Sequence, residues 1–200
     1  MSEEVFIVST GSANLASVQA ALARAGVRSV VTQETATIEQ ASRLVLPGVG
    51  AFGAAMERLG QLGLRQAHAS RVAQKRPTLA ICLGFQILFD ESEEDPGVKG
   101  LGVWPQTIGR FVKAPRVPQF GWNEVIPQAA CRFLEKGMVY FANSYRLSTI
   151  PQGATGALAE YGESFVAAIE YGGVLGCQFH PELSGALGQR ILKRWLEASC

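Results

Sequence analysis

Thr78-Leu79-Ala80-Ile81-Cys82-Leu83-Gly84-Phe85-Gln86 joins an apolar run to a helix-like segment through a sharp turn at Cys82. A short continuous apolar run reads as a strand buried on both faces, as in a parallel sheet. The helix start that follows offers free backbone N–H groups and partial positive charge, which favour the thiolate, the reactive form of cysteine. The end of this strand is therefore where a working thiol belongs.

The same alternation extends outward. Val5-Phe6-Ile7-Val8 reads as a buried strand; Leu15, Val18, Leu22 and Ala25 then recur at helical spacing, and Gly26 offers a stop. Ser29-Val30-Val31-Thr32 and Arg43-Leu44-Val45-Leu46 read as further strands, and 51–74 as helical material broken near Gly60 and Gly63. Strands alternating with amphipathic helices predict an α/β fold: a doubly wound, mostly parallel sheet flanked by helices, with functional groups beyond the carboxyl ends of its strands. From 102 to 179 the pattern changes to short β-like runs (107–111, 121–125, 139–142, 154–161 and 165–171) set apart by Pro and Gly. The C-terminal half should therefore carry an additional antiparallel or mixed β portion. Val174-Leu175-Gly176-Cys177-Gln178-Phe179 reads as a last strand, and Leu187, Ile191, Leu192, Trp195 and Leu196 make one stripe of a closing helix over 186–197.

Two hundred residues, 48% of them hydrophobic, suit a single domain over 1–200 with a sizeable core. The formal net charge of +1 comes from 18 basic and 17 acidic residues spread along the chain. With no basic field for nucleic acid or anionic membrane, a small-molecule substrate or a protein partner is favoured. The start, Met1-Ser2-Glu3-Glu4, is acidic, unlike a secretory signal, so a cytoplasmic location is expected. The most apolar stretch, 78–89, is interrupted by Gly84 and Gln86 and falls short of the ~20 residues a membrane-spanning helix needs. Four cysteines without C-x-x-C spacing, and only two histidines, argue against a metal site. Cys131 and Cys177 read as small buried hydrophobes. His68, in an Ala/Arg/Gln-rich stretch, reads as a surface residue, and Asp90-Glu91-Ser92-Glu93-Glu94-Asp95 as a solvated loop.

Phe179-His180-Pro181-Glu182 supplies what a cysteine nucleophile needs. Proline holds the residue before it out of the helical region, and in an extended segment residues i and i+2 face the same way, so imidazole and carboxylate emerge side by side. Glu182 would then orient the ring of His180 while its other nitrogen faces Cys82, which is the division of roles in a nucleophile–base–acid triad. Leu46-Pro47-Gly48-Val49-Gly50 ends another strand, and its glycines allow N–H groups to converge on a bound oxygen as an oxyanion hole.

These motifs resemble those of the class I, triad-type glutamine amidotransferases. Within that family the chain is most similar to the glutaminase subunits of imidazole glycerol phosphate synthase. The likeness runs through Thr10-Gly11-Ser12-Ala13-Asn14-Leu15, Pro47-Gly48-Val49-Gly50, Ile81-Cys82-Leu83-Gly84, Ser92-Glu93-Glu94, Gly121-Trp122-Asn123 and Gln178-Phe179-His180-Pro181-Glu182. The resemblance implies hydrolysis of L-glutamine through a Cys82 thioester, with His180 shuttling protons, Leu83 and Gly50 donating to the oxyanion, and Gln86, Glu94, Ser144 and Tyr145 around the substrate. Glu94 suits the substrate ammonium. No metal or organic cofactor is implied. The implied partner is a (β/α)8-barrel cyclase subunit that receives the ammonia in a heterodimer, with Asn14 and Trp122 near the interface.

The chain departs from that pattern at four positions. The family usually carries histidine where Asn143 stands, histidine and an aliphatic residue where Gln119-Phe120 stand, and a basic residue where Leu183 stands. These changes bear on coupling to a partner more than on amide cleavage. They leave open a glutaminase that feeds another synthase; a non-catalytic scaffold subunit of the same fold is the remaining alternative.

Overall fold

The computed structural model describes residues 4–9 and 14–198; Thr10-Gly11-Ser12-Ala13, quoted above, lies outside them. Strands β1 (Glu4–Val8), β2 (Arg28–Thr32), β3 (Arg43–Gly48) and β4 (Thr78–Cys82) alternate with helices α1 (Leu15–Arg24), α2 (Thr35–Gln40), α3 (Phe52–Gln61) and α4 (Arg65–Ala73). The short α5 (Leu83–Gln86) follows Cys82 directly. Strands β5 (Phe89–Ser92), β6 (Trp104–Arg110), β7 (Gln119–Pro127), β8 (Gly137–Asn143), β9 (Tyr145–Arg146), β10 (Thr155–Glu160), β11 (Ser164–Tyr171) and β12 (Val174–Cys177) come next. A 3₁₀ turn, Pro181–Leu183, leads into α6 (Gly185–Glu197).

Nine strands form one sheet in the order β2-β1-β3-β4-β12-β11-β10-β7-β8. The first five run parallel and the rest join antiparallel, so the expected mixed architecture is observed. Strands β5, β6 and β9 make a small second sheet.

Strand alternation explains the two cores. On β3 and β4, Val45, Leu79 and Ile81 face α1 and α6, whereas Leu44, Leu46 and Ala80 face α2, α3 and α4. Both faces are covered, which is why these strands read as unbroken apolar runs. The stripe foreseen on α6 is buried as a unit: Leu187, Ile191, Leu192, Trp195 and Leu196 pack on the sheet, and the Trp195 indole donates to the Gly173 carbonyl at 3.0 Å. At ~1.5–3 kcal/mol per buried large apolar side chain, that stripe alone matches the net stability of an ordinary domain.

Pairing register sets the site. Gly48 pairs with Cys82 between β3 and β4, and Cys177 with Ile81 between β12 and β4. Three parallel strands therefore deliver the segment through Gly50, the thiol, and the segment through Glu182 to one edge of the sheet. That edge is the carboxyl-end edge where open α/β folds place ligands.

Some local expectations are corrected. The break expected in 51–74 does fall at Gly63, between two helices, but Gly60 lies within the first, and the last strand ends at Cys177 rather than at Phe179. The acidic run is not simply a solvated loop, since its first half lies in β5. Cys177 is buried as expected, whereas Cys131 is half-buried. His68 is fully buried, not on the surface. Leu64, Ala67, His68, Arg71 and Val72 form the inward stripe of α4, and the polar residues in it hide the periodicity.

Candidate active site

Cys82 closes β4 at φ 53°, ψ −110°, a left-handed conformation that costs a non-glycine residue of order 1–3 kcal/mol. Such strain persists only where packing imposes it, and here the strand must turn at once into α5. Gly84 permits the turn by lying against the Leu46 carbonyl. The thiol thus leaves the sheet edge at the start of a helix, 8% exposed.

His180 is extended, with φ −100° and ψ 95°, as the following proline requires. Its Nδ1 stands 2.8 Å from Glu182 Oε1, and both side chains are buried. Its backbone N–H donates to Tyr140 O at 2.9 Å, and its carbonyl accepts from the Ser184 hydroxyl at 2.6 Å, which fixes the ring to β8 and to the 3₁₀ turn. Burial alone pushes the imidazole down, but hydrogen bonds and charge from Cys82 and Glu182 outweigh it and raise its pKa from 6.5 to about 10. A cation beside the sulfur is the setting in which thiolates form.

A cavity of about 300 Å³ opens over the sulfur. Gly50, Cys82, Leu83, Gln86, Glu94, Ser144, Tyr145 and His180 all line it, with Glu182 held against the far side of His180. Leu83 is the first residue of α5, where backbone N–H groups have no intrahelical acceptor. Gly50, at φ 98°, adopts a conformation L side chains avoid. The Gln86 amide N–H groups donate to Tyr145 O at 3.2 Å and to Gln178 Oε1 at 2.8 Å.

Glu94 does more than was expected of it. Its Oε2 accepts from the Phe52 N–H at 2.8 Å, and Asp95 Oδ2 accepts from Gly53 N–H at 2.7 Å, so the acidic run caps α3. Burial, and secondarily the neighbouring Asp95, raise the Glu94 pKa against the lowering effect of the Phe52 N–H.

Other residues at the site had been given no place in it from the sequence. Val49, Pro118, Phe120, Ala142 and Asn143 complete the lining, and buried Gln178 donates to the Cys82 sulfur at 3.8 Å. Gln178 stands two residues before His180, so the extended-chain argument that paired His180 with Glu182 could also have found it. Asn143 and Gln119 face each other across β7 and β8, both buried. Phe120, in the cavity lining, is 69% exposed; Trp122, two residues further along β7, is 54% exposed, and Met138 and Leu183 are also open. Trp122 meets the Tyr140 ring edge-on, and Asn14 caps α1 by accepting from the Ser17 N–H at 3.2 Å.

This sheet, with a cysteine at a strained strand end and an imidazole–carboxylate pair beyond the neighbouring strand, defines the triad-type amidotransferases. The profile of the family described as class-I glutamine amidotransferase matches residues 7–198. A solved structure titled glutamine amidotransferase shares the fold, with a TM-score of 0.75 over 96% of this chain and 97% of that one at 21% identity. The HisH subunit of imidazole glycerol phosphate synthase from Carboxydothermus hydrogenoformans is 42% identical over 188 residues, covering 92% of this chain and 94% of that protein. Imidazole glycerol phosphate synthase hisHF from Arabidopsis thaliana is 40% identical over 96% of this chain, which spans 34% of that longer protein. The chain belongs to the class I glutamine amidotransferase family and, within it, to the HisH subunits.

Proposed function

We propose that the chain, acting as one domain, is the glutaminase subunit of imidazole glycerol phosphate synthase in histidine biosynthesis. In this reading it hydrolyses L-glutamine to glutamate and ammonia and hands the ammonia to a (β/α)8-barrel cyclase subunit in the cytoplasm. The carrying observation is the 2.8 Å His180–Glu182 contact beside Cys82, on a cavity lined by the substrate-facing residues named from the sequence.

The thiolate of Cys82 attacks the side-chain amide carbon, and the carbonyl oxygen becomes an oxyanion held by the Leu83 and Gly50 N–H groups. One such donor is worth ~3 kcal/mol in the transition state. His180, protonated, gives its proton to the departing nitrogen, and the C–N bond breaks to release ammonia and leave a thioester. Water then attacks; His180 takes a proton from it, the C–S bond breaks, and glutamate leaves. Glu182 keeps the ring in one orientation and stabilises the imidazolium throughout. Glu94, Gln86, Ser144 and Tyr145 hold the amino-acid end of the substrate. No cofactor takes part, and the ring-closing lyase step belongs to the partner.

Ammonia released to bulk water at neutral pH becomes ammonium, which lacks the nucleophilic lone pair, so the cavity must open toward an acceptor enzyme. Exposed Phe120 beside the cavity, with exposed Trp122 two residues along the same strand, suits a protein contact. The Arabidopsis relative, in which the matched region is about a third of a longer chain named as the synthase, supports such an association.

The deciding experiment measures glutamine turnover with and without the cyclase subunit. Turnover should rise strongly when the partner is added, and Cys82→Ala should abolish glutamine-dependent synthesis while leaving synthesis from ammonium salts. Full turnover by the chain alone would sink the subunit assignment, and co-purification with a different synthase would point to another acceptor.

A further inference from the structure

We infer that Gln178 is a positioning residue of this site, whose side chain joins the nucleophile to the substrate cradle by donating to the Cys82 sulfur through its N–H while its carbonyl fixes the Gln86 amide. The inference rests on the reading of Cys82 as nucleophile.

Gln178 is fully buried in the segment that leads from β12 to His180. A primary amide has a donor end and an acceptor end that are not interchangeable. Gln86 Nε2 sits between two acceptors, Tyr145 O at 3.2 Å and Gln178 Oε1 at 2.8 Å. That arrangement fixes the direction of Gln178: its oxygen faces Gln86 and its Nε2 faces the sulfur at 3.8 Å. Turned over, the amide would set donor against donor at Gln86 and an oxygen against the sulfur lone pairs. Asn143 Nδ2 donates to the same Tyr145 carbonyl at 2.9 Å, so the network is anchored on β8 at its far end. With both its N–H groups engaged, Gln86 keeps its carbonyl oxygen as the group left for an incoming donor.

The network matters most once the proton has left Cys82. In the thiol state the sulfur meets, besides His180, Ala142 O at 3.9 Å as acceptor and Gln178 Nε2 as donor. When the thiolate forms, the Ala142 carbonyl becomes a repulsive neighbour and the Gln178 N–H becomes a charge-assisted hydrogen bond, stronger than a neutral one and more so in a site shielded from water. Gln178, which does not line the cavity, thus stabilises the attacking form without touching the substrate itself.

The test follows alkylation of Cys82 by iodoacetamide against pH in the purified full-length chain, read by mass spectrometry of the Cys82 peptide. Gln178→Met keeps length and removes both polar ends, and Gln178→Leu removes them in a shorter side chain. Both should move the midpoint of the alkylation curve upward and slow labelling near neutral pH about ten- to a hundredfold, the range for losing a hydrogen bond to a charged group. A purely packing role would lower thermal stability and leave the midpoint where it is, and that result would overturn the inference. If one variant does not fold, the other gives the same reading. The parent assignment fails by a different result: Cys82→Ala that still hydrolyses glutamine rules out Cys82 as nucleophile whatever Gln178 does. An inert Cys82→Ala with unmoved midpoints removes only the role of Gln178.

Discussion

A Cβ placed on Gly84 would stand 2.0 Å from the backbone oxygen of Leu46, closer than any two such atoms can approach. The strand that carries the oxyanion loop and the turn that carries the nucleophile are therefore in backbone contact, and only glycine fits between them. Gly84→Ala must push β3 away from α5. It should lose about 3 kcal/mol, the upper range for overpacking, and most glutamine hydrolysis with it. Urea unfolding and turnover measured on the same preparation check both; a variant of wild-type stability would mean that the contact relaxes freely.

The partners of His180, Cys82 first and Glu182 second, make stability fall toward alkaline pH. The folded-state pKa of His180, about 10, lies above its ordinary 6.5, so between those values the folded chain holds a proton that the unfolded chain has lost. The contribution is complete below 6.5 and drains away as pH rises through about 10. Thermal midpoints of the wild type and His180→Gln should thus differ most below pH 6.5 and converge toward pH 10. Glu182→Gln should narrow the window from above by removing one of the two partners that hold the proton, and should lower kcat more than it raises KM. A wild-type advantage that grows with pH would contradict the assignment.

Glu94 and Asp95 separate a substrate role from a structural one. Each accepts a backbone N–H at the start of α3, so loss of either should cost about 0.5–2 kcal/mol, the range for a helix cap. Only Glu94 lines the cavity. Glu94→Gln should raise the KM for glutamine well beyond the change in Asp95→Asn, at a similar cost in stability. Equal KM values in the two variants would remove Glu94 from the substrate site.

How much of this was legible depended on whether the cause lay nearby in sequence. The strand-to-helix turn at Cys82 and the constraint Pro181 places on His180 are local, and both could be read directly. The capping of α3 could not, because Glu94 and Phe52 are 42 positions apart and meet only once β5 is laid beside the sheet edge. The central parallel strands β3, β4 and β12 announced themselves as apolar runs because both faces are covered. The antiparallel half, with solvent on one side of β7 and β8, left its strand ends up to three residues off. His68 was misjudged because polar residues on an inward helix face look, in composition, like an outward one.

That buried histidine should make the fold sensitive to acid. Both ring nitrogens of His68 lack a hydrogen-bond partner among the described residues, and the nearby Arg71 guanidinium is committed to Thr78 Oγ1, Ile38 O and Pro77 O. Burial first, and the Arg71 charge second, lower the His68 pKa from 6.5 to about 4. As pH falls below 6.5 the unfolded chain gains a proton that the folded chain refuses until about 4, so stability drops across that window. His68→Leu removes the proton site and two unsatisfied buried nitrogens, and should be at least as stable as the wild type at neutral pH. Its advantage should widen as pH is lowered from 6.5 to 4 and then level off, a difference that cancels the carboxylates both proteins share. Chemical denaturation of the pair at several pH values measures it. Parallel curves would mean that His68 takes up its proton in the folded chain as readily as in the unfolded one, contrary to its place on the inward face of α4.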